Sequence, residues 1–391
     1  MKIVILSPAW PYRGGIAKFT HRLARELQAE GHGVDIENFS LLYPSLLFPG
    51  KSQYDDLPQP KDLSIRRSIN AINPISWIRT GWRLRKGGYD LCVVIYYLPA
   101  LAPALASIAR LVKGNGKTRV VGMLHNLYPH ETRPLDKTLI NYLVRSCHAF
   151  VTLSSAVDKQ LEALLGKLKG SDEAMARHEI AFHPIYDSFG EKPAREEAIA
   201  YLNEQKKGAR FDCGERYLLF FGFIRKYKGL DLLLRAVGQI KEELRRRSVK
   251  FVIAGEFYDS ADAYLPLAKE LDINDRIVWE NEFIADQDVR HYFGMADAVV
   301  FPYRSATQSG VTQIAFHFSL PMVLTRVGAL PEIVPDGECG IVCEPSVEGI
   351  AEGIMRYLNA DRSELVAGVN RRKQLYSWSN FAAKVVGVAN S

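Results

Sequence analysis

The property that most limits what this chain can fold into is an alternation. Short, continuously apolar runs such as Val93-Val94-Ile95 and Phe251-Val252-Ile253 are separated by amphipathic stretches along its whole length. A strand that is apolar at every position is covered on both faces, which is the habit of parallel sheets lying between helices. The runs predict strands over residues 2–7, 33–39, 90–96, 118–124, 149–153 and 179–182. Helical periodicity between them covers 17–30, 75–86, 100–112, 135–147 and 156–165. The second half repeats the pattern, with strands over 217–222, 250–254, 276–280, 298–301 and 322–325 and helices over 230–247 and 286–293. Two such series predict an α/β protein of two doubly wound, Rossmann-like domains.

A length of 391 residues suits two domains better than one. The boundary is expected after Phe182-His183-Pro184-Ile185-Tyr186-Asp187, giving domains over 1–188 and 189–375. Residues 191–213 are charged and weakly patterned, and 40–68 read as a long polar loop. The net charge of +6 fits an anionic substrate or an acidic surface, but the clustered Lys/Arg of a nucleic-acid binder is missing. Five scattered cysteines form no C-x-x-C pair, as expected of reduced thiols in a cytoplasmic protein. No apolar run reaches the roughly 18 residues of a membrane span. The N-terminal segment from Met1 to Ser7 reads as a first strand, not a signal peptide.

Ligands of open α/β sheets bind at the carboxyl ends of the strands. Ser305-Ala306-Thr307-Gln308-Ser309-Gly310-Val311-Thr312-Gln313 lies there, after the 298–301 strand and at the start of a helix. The first N–H groups of a helix have no intrahelical acceptor, and with the dipole they make an anion site. Pro11-Tyr12-Arg13-Gly14-Gly15-Ile16 follows the first strand; its glycines either let backbone approach a ligand or merely make a tight turn. It is not G-x-G-x-x-G, which argues against a nicotinamide dehydrogenase. His125, at the end of the 118–124 strand, suits a hydrogen bond to a sugar or phosphate, an acid–base role, or the capping of a turn. With His130 and Glu131 it lacks a metalloenzyme's helical spacing, and no metal site is expected. Arg225, Lys226 and Lys228 place three cations in four residues, either a solvated charge run or a phosphate grip.

These motifs resemble the retaining glycosyltransferases of GT-B fold, family 4. The resemblance rests on Gly222-x5-Lys228-Gly229-Leu230-Asp231, Phe251-Val252-Ile253-Ala254-Gly255, Ala296-Asp297-x-Val299-x-x-Pro302 and the run from Pro321 to Val334. It implies two domains facing across a cleft, a final helix (376–391) crossing back to the first domain, and sugar transfer from a nucleotide-diphosphate donor without a metal or other cofactor. His125, Arg225 and Lys228 are then the expected catalytic residues. Gly14, Gly15, Glu256, Phe283, Ile284, Thr307, Gln308, Ser309, Gly310 and Gln313 are the expected donor-binding set. By the same resemblance, Lys228 and Arg225 neutralise the diphosphate, His125 contacts the sugar, and the base lies along Phe283-Ile284.

The chain departs from the family at two points. Phe223 stands where the family carries an arginine, so Arg225 is a shifted substitute. The family's two glutamates, eight positions apart, fall on Ala306 and Ile314, leaving Thr307, Gln308 and Gln313 as polar neighbours. The acceptor is expected to be a saccharide or lipid-linked hydroxyl in polysaccharide or glycoconjugate synthesis. Residues 65–86 hold Arg66, Arg67, Arg79, Arg83, Arg85 and Lys86 with Trp77 and Trp82 and no acid. That segment suits either contact with an anionic membrane at the inner face of the cytoplasmic membrane or an ordinary surface. Two other readings are a sugar-nucleotide epimerase of this architecture and a catalytically silent nucleotide-binding partner subunit.

Overall fold

The computed structural model describes residues 1–43, 53–54, 58–128, 134–168, 176–205, 211–257, 263–306 and 309–390. The chain divides into two compact units, Met1–His183 with Trp378–Ser391, and Pro184–Ser377.

In the first unit the order is β1 (Lys2–Leu6), α1 (Gly15–Ala29), β2 (Gly33–Leu41), β3 (Ser64–Asn70), α2 (Pro74–Arg85), β4 (Leu91–Tyr96), α3 (Ala102–Lys113), β5 (Arg119–Leu124), α4 (Asp136–Val144), β6 (Ala149–Thr152), α5 (Ser155–Leu168) and β7 (Arg177–Ile180). All strands pair in parallel, in the order β3-β2-β1-β4-β5-β6-β7. β4 is buried at every position, as its unbroken apolar run requires.

The second unit runs α6 (Arg195–Gln205), β8 (Arg216–Phe221), α7 (Leu230–Gln239), α8 (Lys241–Arg246), β9 (Val249–Ala254), α9 (Leu265–Glu270), β10 (Ile277–Glu280), α10 (Asp286–Met295), β11 (Ala298–Phe301), α11 (Gly310–His317), β12 (Met322–Thr325), α12 (Leu330–Ile333), β13 (Gly340–Cys343), α13 (Val347–Asn359) and α14 (Arg362–Lys373). Its sheet is also parallel, in the order β10-β9-β8-β11-β12-β13, and its strand order reverses between β8 and β11. Such a reversal is where open sheets leave a crevice for ligand. α13 shows how the layers form: Ile350, Ala351, Ile354, Tyr357 and Leu358 make one buried stripe, and the Ser346 hydroxyl caps the helix by accepting from Gly349 N at 3.0 Å.

The last helix, α15 (Trp378–Asn390), belongs to the first unit. Lys384 Nζ donates to the Ile180 carbonyl at 2.7 Å, and Arg119 Nε to that of Ala389 at 3.1 Å.

Three expectations are corrected. The stretch 40–68 is not all loop, because β3 begins at Ser64 and forms the sheet edge. An edge strand pairs on one side only, so its sequence, SIRRSIN, lacks the apolar run of a central strand. The helix expected over 230–247 is two helices, parted at Ile240, whose backbone (φ −111°, ψ 14°) leaves the helical region. The segment 191–213 contains α6, which buries only Ala198, Ile199 and Leu202 and so shows little periodicity.

Candidate functional site

In the second unit the chain leaves β8 at Gly222 and must turn back within a few residues to begin α7. Ile224 anchors the turn, buried and donating its N–H to the Glu256 carbonyl at 2.9 Å. A single 3₁₀ turn over Lys226–Lys228 follows, closed by Gly229 in the left-handed conformation (φ 67°). A Cβ on Gly229 would lie 2.0 Å from the Pro302 carbonyl oxygen, so no other residue fits there. The turn thereby locks onto the end of β11.

Of the three cations in this loop, Arg225 and Lys226 are exposed, while Lys228 is only 7% exposed. Its ammonium donates to the Phe221 carbonyl at 3.4 Å and lies 5.9 Å from the centre of the Tyr303 ring. No carboxylate pairs with it among the described residues. Burial, with the nearby charge of Arg225, pushes its pKa down to about 8. Charge and burial oppose each other here, and an anion would relieve that opposition.

The polar turn comes to the same place. A Cβ built on Gly222 would lie 3.1 Å from Lys228 Nζ and 3.8 Å from Val311 Cγ2, so the lysine and the first turn of α11 flank one point. Ser309 is the N-cap of α11, extended (φ −135°), with its hydroxyl 3.4 Å from that of Tyr303. Gly310 packs near Tyr186, whose ring would be 3.2 Å from a Cβ there. The run after β12 also finds a purpose: Gly328 (φ 53°) lies so near the Ala306 carbonyl that a Cβ would be 1.4 Å from its oxygen. That loop thus braces the turn by backbone contact. Thr307 and Gln308 lie outside the described residues.

Beside Gly222 opens a cavity of about 230 Å³, lined by Phe189, Phe221, Gly222, Phe223, Gly255, Glu256, Phe283, Ile284, Asp286 and Val289. The sequence reading of Glu256, Phe283 and Ile284 falls on this wall, whereas Phe189 and Asp286 had no signal. The exposed rings of Phe223 and Phe283 stand 6.4 Å apart at 38°. On α11, Gln313 is buried, and its Oε1 has no hydrogen-bond partner among the described residues. Ile314 is buried and apolar, and Ala306 offers no carboxylate.

In the first unit, Gly14 (φ 114°) caps α1, and a Cβ on either Gly14 or Gly15 would meet nothing within 4 Å. His125 continues from β5, its N–H donating to the Tyr96 carbonyl at 3.0 Å. The imidazole stands edge-on to Phe19 at 4.8 Å and lies 6.2 Å from the His183 ring. Its Nε2 is buried with no partner among the described residues. Burial, reinforced by His183, pushes its pKa down to about 3. Burial thus favours the neutral ring near pH 7, a form that can donate or accept a hydrogen bond. His130 and Glu131 lie outside the described residues. Among the described residues no three His, Cys, Asp or Glu converge as metal ligands, and no helix is long and apolar enough to cross a membrane.

Comparison with known proteins gives this geometry a family. Residues 215–360 match the model for glycosyl transferases group 1, and residues 13–170 match that for glycosyltransferase family 4. The MMP alpha-(1->4)-mannosyltransferase of Mycolicibacterium hassiacum is 30% identical over 99% of this chain and 97% of its own length. The D-inositol 3-phosphate glycosyltransferase of Corynebacterium aurimucosum is 28% identical over 44% of this chain. The chain spans 42% to 44% of the length of the first curated relatives it matches. Among solved structures, HepE of Anabaena in complex with UDP superimposes with a TM-score of 0.69 at 13% identity, covering 99% of each chain.

Proposed function

We propose, on the premise that this chain belongs to the GT-B-fold glycosyltransferases built from family 4 and group 1 domains, that it moves a hexose-type sugar from a UDP- or GDP-linked donor to a hydroxyl of a saccharide or lipid-linked acceptor. Retention at the anomeric carbon, no metal, and a place in polysaccharide or glycoconjugate assembly are parts of the same reading. One observation carries it: a buried lysine with no described acidic partner, at the sheet's reversal point and beside the start of a helix.

The donor's diphosphate supplies the counter-charge to the Lys228 ammonium. It lies between Nζ and the first-turn amides of Ser309 and Gly310, which donate to its oxygens. As the bond from anomeric carbon to phosphate oxygen breaks, its electron pair moves to the diphosphate and negative charge grows there. A desolvated cation stabilises that charge by about 3 kcal/mol, and the helix end adds roughly 0.3–2 kcal/mol. The acceptor hydroxyl attacks from the face the diphosphate leaves, and its proton passes to the departing phosphate oxygen. Arg225, exposed on the same loop, acts at longer range.

The base occupies the cavity beside Gly222, against Phe223, Phe283 and Ile284, with Glu256 for polar groups. Neutral His125 serves as a hydrogen-bond partner to the sugar, and Gly14-Gly15 admits the donor at the start of α1. With alanine and isoleucine at the family's carboxylate positions, the buried Gln313 Oε1 is the acceptor offered to a sugar or ribose hydroxyl. The UDP complex of HepE, a protein of this fold, supports a nucleotide donor.

Lys228→Ala is expected to lower turnover by about a hundredfold or more; near-normal turnover would remove the role given to it. Ala306 and Ile314 favour one competing reading, a nucleotide-binding partner that does not turn over. Nucleotide binding by the intact chain without transfer from any UDP- or GDP-sugar would decide for that reading.

A further inference from the structure

In the first unit one helix has its apolar side chains turned to solvent. α2 starts cleanly: the Asn73 side chain accepts from Ile75 N at 3.0 Å, and Pro74 holds the first helical position. Thr80, Gly81 and Leu84 face inward, Gly81 so close to Leu111 of α3 that a Cβ would stand 2.6 Å from its Cδ1. The outward face carries Ile75 (60% exposed), Ile78 (52%) and Trp82 (48%), with Ile72 (64%) just before the helix. At about 3.6 residues per turn the three helical positions form one stripe. Twelve large apolar side chains are exposed among the described residues, and four of them fall within these eleven positions.

Within the segment that carries the stripe, the charge has one sign. Residues 63–89 contain six cations and no Asp or Glu. Two of the six are engaged within the unit: Arg83 pairs with Glu37 at 2.8 Å, and Arg67 donates to the Phe39 and Ser40 carbonyls at 3.3 and 3.2 Å. Arg66, Arg79 and Lys86 are exposed, and Arg85 lies 5.1 Å over the Trp82 ring. Single exposed apolar residues are ordinary, but a contiguous stripe rimmed by charge marks an interaction surface. A second copy fits poorly, because a two-fold pairing would set Arg79 and Lys86 against their own kind. An anionic lipid surface fits both features, since the stripe enters the acyl boundary while the cations remain among headgroups.

We propose that this face of α2, with Ile72, Ile75, Ile78 and Trp82 as the apolar contact and Arg79 and Lys86 beside them, docks the protein on an anionic bilayer. The inference stands apart from the donor-site reading.

The test is co-sedimentation of the full chain with vesicles of phosphatidylcholine alone and of equal parts phosphatidylcholine and phosphatidylglycerol, at low and high salt. Binding is expected to the anionic vesicles and to weaken with salt. Arg79→Glu with Lys86→Glu should weaken it by at least about fivefold per charge removed. Ile75→Ser with Ile78→Ser and Trp82→Ser should bring it to background. These positions are exposed, so the variants should keep the wild-type melting temperature and nucleotide binding. No binding to anionic vesicles, or equal binding by the variants, would overturn the proposal. So would a wild-type dimer that ignores vesicles and becomes a monomer in the serine variant.

Discussion

The loop after β8 and the outer face of α2 both concentrate positive charge, and they do so in opposite ways. Near β8, one ammonium, that of Lys228, is buried, and its two cationic neighbours stay in water. Along α2, several cations are exposed and none is buried. A desolvated charge acts strongly on one bound group at short range, because little water screens it. Solvated charges act weakly, and only in numbers, on a surface that is itself charged. Burial, and not the count of cations, separates a grip on a ligand from adhesion to a surface.

The largest expected effect comes from unseating the buried charge. Gly229→Ala would force a Cβ to within 2.0 Å of the Pro302 oxygen at a φ of 67°, so the loop must move and carry Lys228 with it. We expect transfer activity to be lost and stability to fall by on the order of 3 kcal/mol, read as turnover and melting temperature. If activity and melting temperature were unchanged, the loop would not need this geometry.

A smaller effect is set by pH. Lys228 has a folded pKa near 8, below its ordinary value of 10.5, so in the free protein its charge fades as pH rises through about 8. Affinity for UDP should therefore fall by up to about tenfold per pH unit above 8, as calorimetry over a pH series would read. A flat UDP profile would place the grip elsewhere.

The two regions were not equally legible in the sequence. The central strands were, because covering on both faces leaves a continuous apolar run, as in Val93-Val94-Ile95. β3 was not, since its Ser64–Asn70 sequence needs only one paired edge, and neither was the break at Ile240 inside an otherwise helical pattern. Lys228 was visible as one cation among three. Its burial was not, because that depends on Tyr303, Gly222 and the Gly229 contact with Pro302, which meet only in the folded unit. Gln313 was named for its amide, but its unpartnered oxygen shows only in the structure. Phe223 and Phe283 are far apart in sequence, and only the fold brings their rings, on the loops after β8 and β10, near one another. On α2 the apolar residues were in view, but not the direction they face. Its buried side is made of Thr80, Gly81 and Leu84, so an outward stripe of Ile and Trp runs against the usual expectation for a surface helix.

The proposed function depends on Lys228 being a charge held at a cost to stability for the sake of a diphosphate. A lysine with a pKa lowered on folding binds its proton more weakly in the native state. Its ammonium therefore destabilises the empty protein below about pH 8, and the cost fades as pH rises toward 10.5. The decisive measurement is the melting temperature of the wild type and of Lys228→Met at pH 7, with and without UDP and GDP. The predicted result is an empty variant that melts higher, by on the order of 4 °C, and gains nothing from either nucleotide, whereas the wild type is stabilised by one of them. A variant that melts no higher than the wild type and is stabilised by nucleotide to the same extent would contradict the account.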